Sequence, residues 1–291
     1  MNYKKKVSIQ GTLGSFHEEA AIKYFEELNQ EIEVIPCVTF AESVEAVETG
    51  IADFAMMAIE NTVAGAILPN YSLLRSSHLE ISGEIYLRIV QNLLINTEGT
   101  IEDLLEVYSH PMAIFQCSSF FKKYPKIKLI EAADTASSAK KVAESRDIKI
   151  GAIASTFAAG RYNLKVAKES IESNKQNYTR FFVLSLKTFE KKDHASLNKV
   201  SVCFALPHEK GALASILAII SAYNLNLHKI QSHPILGKPW EYLFYVDIAF
   251  TDYFRYKQCL QAIEPLTTNL QILGEYKQGE QSLQKIHTEM I

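Results

Sequence analysis

The sequence predicts two domains: an α/β domain followed by a smaller domain with the ferredoxin-like order βαββαβ. The chain has 291 residues, about twice the usual domain length of roughly 150. From Lys6 to about Leu186, short β-branched runs alternate with helical segments, a pattern typical of an α/β domain with a largely parallel sheet. A polar stretch, KTFEKKDHASLNK, then precedes the second pattern. We expect domains at residues 1–187 and 199–276.

The first domain has clear helix start and stop signals. The first strand is KVSIQ, and the next helix begins at Ser15, three residues before Glu18, which is the spacing of a capping box. The pair Thr39 and Glu42 predicts a second box, and that helix ends near Gly50, a suitable left-handed residue. The alternation continues through IYLRIVQNLLI, LLEVYSH, PMAIFQCSSFFKKY, IKLIEA, DTASSAKKVAESR and IKIGAIAS.

The second domain follows from six segments. Strand, helix, strand, strand, helix and strand are predicted, in that order, for VSVCFAL, ASILAIISAY, LNLHKIQS, WEYLFYVDIAF, YFRYKQCLQAI and NLQILGEY. This order over about 75 residues is the ferredoxin-like arrangement.

Composition favours small-molecule chemistry. With 30 basic and 33 acidic residues, and no long block of either sign, neither a nucleic-acid partner nor a membrane surface is indicated. The four cysteines are far apart, so we expect free thiols and no metal site. The N-terminus lacks the apolar core of a signal peptide, and no run is apolar for about 18 residues, so we expect a cytoplasmic protein.

Polar residues recur where the predicted strands end. They are Glu60, Asn61 and Thr62; Ser109 and His110; Asp134 and Thr135; Ser155 and Thr156. Ligands of open α/β sheets bind outside the carboxyl ends of the strands, so these residues indicate one crevice. The loop GTLGS after the first strand is either a tight turn or a turn that also contacts a substrate carboxylate. It lacks the spacing of a dinucleotide-binding loop.

Six motifs together resemble one family. The order GTLGSF, AIENTVAG, SHPMAIFQC, DTASSAKKVA, GAIASTFAAGRYNL and NYTRFFVLS is similar to that of bacterial prephenate dehydratases. The family's threonine-arginine-phenylalanine signature is present at Thr179, Arg180 and Phe181. The segments GALASIL and NLNLHKIQSHP resemble the C-terminal ACT regulatory domain of the same family.

The resemblance implies a fold and a reaction. The catalytic domain of the family has two α/β lobes around a cleft, like periplasmic binding proteins. Its members convert prephenate to phenylpyruvate, carbon dioxide and water in phenylalanine biosynthesis. The ring becomes aromatic in this reaction, so no cofactor is expected.

Thr179 is the expected catalytic residue, as the donor to the departing hydroxyl. The expected substrate-binding residues are Asn61, Thr62, Gln116, Thr135, Arg180 and Phe181. Successive strand residues point to opposite faces, so Arg180 is either a substrate clamp or a structural residue. Phe181 is better suited to packing than to reaction.

The resemblance also implies regulation by phenylalanine, the end product. The expected effector contacts are Gly211, Ala212, Leu213, Asn224, Asn226, Gln231 and Ser232. The family has Glu-Ser-Arg-Pro where this chain has Gln231, Ser232, His233 and Pro234.

Family members form dimers and tetramers, so a homodimer or homotetramer is expected. Two alternatives stay open at the sequence level. They are arogenate dehydratase, which performs the same elimination on an amino acid substrate, and a sensor that binds a small molecule without catalysis.

Overall fold

The computed structural model of the chain describes residues 4–187, 193–235, 237–238 and 241–279. The chain divides into two compact units. Unit 1 comprises Met1–Gly65 and Ile85–Phe181, and unit 2 comprises Ala66–Glu84 and Phe182–Ile291. Residues 66–84 and 182–187, which the sequence assigns to the first domain, therefore group with the C-terminal part. Most of the predicted linker, residues 188–192, lies outside the described residues.

The described residues form the following elements. The strands are β1 Lys5–Gln10, β2 Ile32–Cys37, β3 Phe54–Asn61, β4 Gly65–Ala66, β5 Leu79–Arg88, β6 Asn92–Ile95, β7 Glu106–Ser109, β8 Lys128–Glu131, β9 Ile150–Ala154, β10 Lys165–Lys168, β11 Tyr178–Leu186, β12 Lys199–Ala205, β13 Asn226–Pro234, β14 Tyr242–Ala249 and β15 Thr268–Tyr276. The α-helices are α1 Phe16–Glu27, α2 Phe40–Glu48, α3 Leu68–Ser76, α4 Pro111–Phe121, α5 Thr135–Ser145, α6 Thr156–Tyr162, α7 Ala212–Ala222 and α8 Tyr253–Ile263.

Helix starts follow the capping residues that the sequence indicates. Ser15 accepts a hydrogen bond from the Glu18 backbone N–H at the start of α1, and Thr39 accepts one from Glu42 at the start of α2. Pro111 occupies the first turn of α4, where its missing N–H removes no helical bond. Helices α1, α2 and α4 each follow a strand, so they begin at the carboxyl ends of β1, β2 and β7.

The first sheet has the order β2-β1-β3-β11-β5, and β4 pairs with β3. Strand β1 is parallel to both β2 and β3. Strands β5 and β11 each continue from one unit into the other, as their bounds show. Because β1 and β3 are parallel, Asn61 at the end of β3 and the glycine loop after β1 lie at the same edge of the sheet.

The second sheet lies in unit 1 and has the order β10-β6-β9-β7-β8. It is mixed: β7 is parallel to β8 and β9, but β6 is antiparallel to both β9 and β10. The expectation of a largely parallel sheet was therefore wrong for this lobe. Strand β6 enters the sheet directly after β5, without a crossover helix, and so does not follow the direction of the βα units. The predicted two-lobed α/β arrangement is confirmed.

One predicted segment, IYLRIVQNLLI, is two strands that belong to different sheets. The second lobe therefore begins at β6, within this segment, and not at its first residue. The break lies at residues 89–91, where Ile89 N–H donates to the Asn177 carbonyl at 2.7 Å and Gln91 N–H donates to Glu172 Oε2 at 3.0 Å. Hydrophobicity is continuous through this break, so the pattern cannot reveal it.

The C-terminal elements confirm the predicted order βαββαβ. Their antiparallel sheet has the order β13-β14-β12-β15. Helices α7 and α8 pack on it through Ile216, Ile220, Tyr256 and Leu260. Three cysteines are buried and Cys37 is half-buried, and all four are free thiols, as expected. In the part of the chain that the structure describes, no helix is long and apolar enough to cross a membrane.

Candidate active site

The candidate site is built where β3 ends and β11 begins, within unit 1. Thr62 N–H donates to the Tyr178 carbonyl at 2.9 Å, and Tyr178 N–H donates to the Thr62 hydroxyl at 2.9 Å. The Thr62 hydroxyl in turn donates to the Gln176 carbonyl at 2.8 Å. Both hydrogen bonds of the Thr62 hydroxyl thus go to the backbone that leads into β11. Thr62 therefore fixes the strand that carries Thr179.

Asn61 is the centre of a polar cluster. Its Nδ2 lies 2.7 Å from Asn177 Oδ1, 3.0 Å from Thr179 Oγ1 and 3.1 Å from the Tyr178 carbonyl. Its Oδ1 accepts from the backbone N–H groups of Val63 and Ala64 at 2.9 and 2.8 Å. The turn after β3 therefore holds Asn61 in one orientation.

Asn177 connects this cluster to the second lobe. It is fully buried, and its Nδ2 donates to Gln116 Oε1 at 3.0 Å. Gln116 lies on α4, whose apolar face packs on the second sheet through Ala113, Cys117 and Phe121. The structure thus brings together Asn61, Gln116 and Thr179, three of the residues predicted from the sequence, and Asn177 links them.

Thr179 is nearly buried, with 8% of its surface exposed. Its hydroxyl oxygen accepts a hydrogen bond from Asn61 Nδ2. An amide nitrogen can only donate, so the hydroxyl hydrogen must point elsewhere. Among the described residues no acceptor takes that hydrogen.

Arg180 faces away from this cluster, as alternation along β11 requires. Only 2% of its surface is exposed, its Nη1 lies 3.4 Å from Glu60 Oε1, and its guanidinium lies 5.8 Å from the ring centre of Tyr86. Glu60 precedes Asn61 on β3, so neighbouring residues of the two strands pair on opposite faces: Asn61 with Thr179, and Glu60 with Arg180. These contacts favour the structural interpretation of Arg180.

Phe181 is buried against His17, with ring centres 5.1 Å apart in an edge-to-face geometry. His17 also contacts the ring of Phe40, and its Nε2 accepts a 3.4 Å hydrogen bond from the Ala58 N–H. Burial lowers the pKa of His17 to about 4, since the imidazolium loses its hydration. His17 is therefore a neutral packing partner at pH 7.

Thr135 is the first residue of α5 and is half-buried. Within the described residues no hydrogen bond joins it to the Asn61 cluster. Its neighbour Asp134 caps α5 through Ser137 N–H at 2.6 Å and accepts a hydrogen bond from the Thr12 hydroxyl at 3.2 Å. Asp134 thereby links the second lobe to the glycine loop.

The glycine loop adopts a tight turn. Gly11 and Gly14 have φ angles of 100° and 91°, which favour glycine. The Gly14 N–H donates to the Glu18 carboxylate, and Glu18 pairs with Arg161 of α6 at 2.9 Å. A Cβ atom at Gly14 would approach the Tyr162 ring to 2.9 Å. Because the Gly14 N–H is already bonded, the tight-turn interpretation accounts for this glycine without a ligand.

The residues expected to contact the effector lie in unit 2. Gly211 precedes α7 with a φ of 85°, and Ala212 and Leu213 form the first turn of that helix. Asn224 follows α7 with a φ of 55°, and Asn226, Gln231 and Ser232 lie on β13. Gly211 has no side chain, and among the residues that the structure describes no side chain caps this helix.

Unit 2 also contains a cavity of about 430 Å³. Arg75, Leu206, His208, Lys238 and Thr268 are among the residues that line it. None of the seven expected effector contacts is a lining residue.

Sequence reasoning missed Asn177 and His17. Asn177 stands two residues before Thr179, and residues i and i+2 of a strand share a face, so the strand period could have indicated it. His17 carries no local signal, because its partners Phe40 and Phe181 are distant in sequence.

The family model described as prephenate dehydratase matches residues 7–188. The chain is 34% identical over 272 residues to a bifunctional chorismate mutase/prephenate dehydratase of Enterobacter agglomerans, covering 93% of this chain and 70% of that protein. It is 35% identical over 282 residues to the chloroplastic arogenate dehydratase/prephenate dehydratase 2 of Arabidopsis thaliana, covering 93% and 72%.

The fold is also that of a solved structure. A prephenate dehydratase from Arthrobacter aurescens, described as a complex with L-Phe, matches with a TM-score of 0.82 at 23% identity and covers 98% of both chains. The family match over most of unit 1, together with relatives above 30% identity, identifies the family. This chain belongs to the prephenate dehydratase family, a family of carbon–oxygen lyases.

Proposed function

We propose that this protein converts prephenate to phenylpyruvate, with Thr179 as the hydrogen-bond donor to the departing hydroxyl. The observation that carries the proposal is the direction of the bond between Asn61 and Thr179. Since Thr179 Oγ1 is the acceptor, its hydrogen is available to a substrate oxygen. Donation by Asn61 also polarises the hydroxyl and makes it a stronger donor.

The chemistry requires a donor and no electron carrier. The bond between the ring and its carboxylate breaks and releases carbon dioxide, and the electron pair moves through the ring to expel the hydroxyl at the opposite carbon. The departing oxygen leaves as hydroxide and takes one proton from the solvent to become water. A threonine hydroxyl is too weak an acid to ionise, so it acts through a hydrogen bond that strengthens as negative charge develops on the leaving oxygen.

The cluster of Asn61, Gln116, Asn177 and Thr179 is uncharged. Neutral donors orient a dianion without stabilising its ground state as strongly as a cation. Arg180 lies on the other face of β11, where it pairs with Glu60. In this proposal Arg180 stabilises the strand, and the amide side chains bind the substrate. Thr62 fixes the entry of β11, Phe181 packs, and Thr135 lies at the α5 end of the cleft as a further neutral donor.

We further propose that phenylalanine binds unit 2 and inhibits turnover. In the first turn of α7, the Ala212 N–H donates to the Glu209 carbonyl at 3.3 Å, and the N–H groups of Leu213 and Ala214 suit a carboxylate. Asn224 and Asn226 offer carbonyl oxygens for an amino group. The proposal is also supported by the Arthrobacter relative described in complex with L-Phe.

Arogenate is the second candidate substrate. The Arabidopsis relative carries both substrate names. Arogenate differs from prephenate only in the side chain, where an amino acid replaces the keto acid. The elimination at the ring is the same, so Thr179 would serve both reactions.

A direct assay separates these candidates. The purified chain is incubated with prephenate and, separately, with arogenate, and the formation of phenylpyruvate or phenylalanine is followed. We expect a higher kcat/KM for prephenate. If only arogenate is turned over, arogenate and not prephenate is the substrate. Turnover of neither would leave the sensor alternative and defeat the proposed enzyme.

A further inference from the structure

The backbone after β3 determines the orientation of Asn61. Its Oδ1 receives the N–H groups of Val63 and Ala64 at 2.9 and 2.8 Å. Both groups can only donate, so the atom that faces them must be the oxygen. The Nδ2 of Asn61 therefore faces Asn177 and Thr179 as a donor.

This orientation determines that of Asn177. The atom of Asn177 that lies 2.7 Å from Asn61 Nδ2 must accept, so it is Oδ1. Its Nδ2 consequently faces Gln116 and donates to Oε1 at 3.0 Å. The backbone carbonyl of Asn177 is held by Ile89 N–H at 2.7 Å, and the side chain is fully buried. Both polar side-chain atoms of Asn177 are thus engaged in hydrogen bonds.

The orientation of Asn177 in turn determines that of the Gln116 amide. Its Oε1 is occupied by Asn177, so its Nε2 is left to face other groups. Among the described residues no acceptor takes the Nε2 hydrogens. Gln116 thus presents a neutral donor, which suits a carboxylate of the substrate.

We propose that Asn177 is a positioning residue that sets the direction of the Gln116 amide, so that Gln116 presents N–H groups and not its oxygen to the substrate. The inference rests on the proposed function, since it needs an anionic substrate in the cleft. If residue 177 can only accept hydrogen bonds, rotation of the Gln116 amide becomes favourable, because its Nε2 can then donate to residue 177. Its oxygen would then face a substrate carboxylate and repel it.

Asn177→Asp tests this direction without a change of shape. The ionised carboxylate still accepts from Asn61 but has no hydrogen for Gln116 Oε1. We expect kcat/KM for prephenate to fall about 10- to 100-fold near pH 8, as the loss of a hydrogen bond to a charged group implies. Burial raises the pKa of such a carboxyl, and its neutral form has one O–H donor and one acceptor, like the amide.

The pH profile therefore distinguishes positioning from a merely structural role. The ratio of wild-type to variant kcat/KM should shrink as the pH is lowered from about 8 to about 5.5, because protonation of the introduced carboxyl restores the donor. A ratio of one throughout, or a loss that does not change with pH, would overturn the proposal. Asn29→Asp, in an exposed turn of unit 1, is the control and should give a ratio of one.

A second set of variants applies if Asn177→Asp does not fold, as judged by circular dichroism. Asn177→Ala, Gln116→Ala and the double variant form a cycle. If Asn177 acts through Gln116, the double variant loses no more than about threefold beyond Gln116→Ala alone. Losses that multiply would refute the link. A wild-type chain that is inactive on prephenate would instead defeat the proposed function, so the two failures are distinguishable.

Discussion

At the scale of single residues, the site depends on hydrogen-bond direction more than on charge. Thr179 was expected to be catalytic from the threonine-arginine-phenylalanine signature, and alternation along a strand left Arg180 as either a substrate clamp or a structural residue. The sequence could not show that the Thr179 oxygen accepts from Asn61, because Asn61 lies 118 residues away. Nor could it reveal which amide atom faces which partner, since this follows from the turn at Val63 and Ala64.

His17 provides a pH-dependent prediction at this scale. Its pKa is lowered to about 4 by burial, whereas an unfolded histidine has a pKa of about 6.5. Between these values the unfolded chain binds more protons, so stability falls as pH falls from about 6.5 towards about 4. We expect His17 to contribute a loss on the order of 1–2 kcal/mol in the free energy of unfolding between about pH 7 and about pH 5.

Urea denaturation of the wild type and His17→Gln at both pH values measures this loss. Glutamine keeps an acceptor for the Ala58 N–H but does not titrate in this range. The variant should therefore lose less stability than the wild type on acidification. Equal losses in the two proteins would exclude His17 as the titrating group.

At the scale of elements, helix starts and strand runs were predictable because capping residues and periodicity are local. Ser15, Thr39 and Pro111 all stand where the structure begins a helix. The change of sheet between β5 and β6 was not predictable, because it depends on long-range hydrogen bonds that Ile89 and Gln91 donate to Asn177 and Glu172. Gly274 of β15 is a similar case: a Cβ atom there would overlap the Ile81 carbonyl oxygen of β5. Only the fold shows this close approach.

Strands β5 and β12 are joined by a buried ion pair within unit 2. Lys199 Nζ lies 2.8 and 3.1 Å from the two carboxylate oxygens of Glu84, and the side chains are 1% and 0% exposed. Glu84→Ala leaves the ammonium buried without this carboxylate. We expect a loss of about 3–5 kcal/mol in the free energy of unfolding, measured by urea denaturation.

The control for this prediction is Glu31→Ala. Glu31 pairs with Lys4 at 3.1 Å, but both side chains are largely exposed. Its removal should cost less than about 1 kcal/mol. If the two variants lose similar small amounts, the buried pair does not stabilise unit 2 as described.

At the scale of the whole molecule, the compact units differ from the domains that composition suggests. The βαββαβ order followed from periodicity, and the polar linker was expected to separate domains at residues 1–187 and 199–276. Residues 66–84 and 182–187 nevertheless group with the C-terminal part. Their long-range packing explains this, since Tyr71 contacts the rings of Phe182 and Tyr245. Strand β11 thus carries Thr179 in unit 1 and Phe182 in unit 2.

An effector bound to unit 2, as proposed, is connected through β11 to the strand residue Thr179. A ligand acts at a distance only if it binds two states with different affinity. We expect calorimetry to detect phenylalanine binding at millimolar concentration or below, and phenylalanine to lower turnover of prephenate. Asn226→Ala should weaken the binding, since the amide carbonyl is proposed to accept from the amino group. No heat of binding at millimolar phenylalanine would exclude this effector.

In the proposed reaction, the hydroxyl of Thr179 donates to the departing oxygen of prephenate. Single-turnover rates of Thr179→Ala and Thr179→Ser at saturating prephenate test it most directly. Alanine should lower the rate about 100-fold or more, with little change in substrate affinity, because one donor that acts on developing charge is lost. Serine, which keeps the hydroxyl, should retain a substantial fraction of the rate. An alanine variant as fast as the wild type, or a serine variant as slow as alanine, would contradict the account.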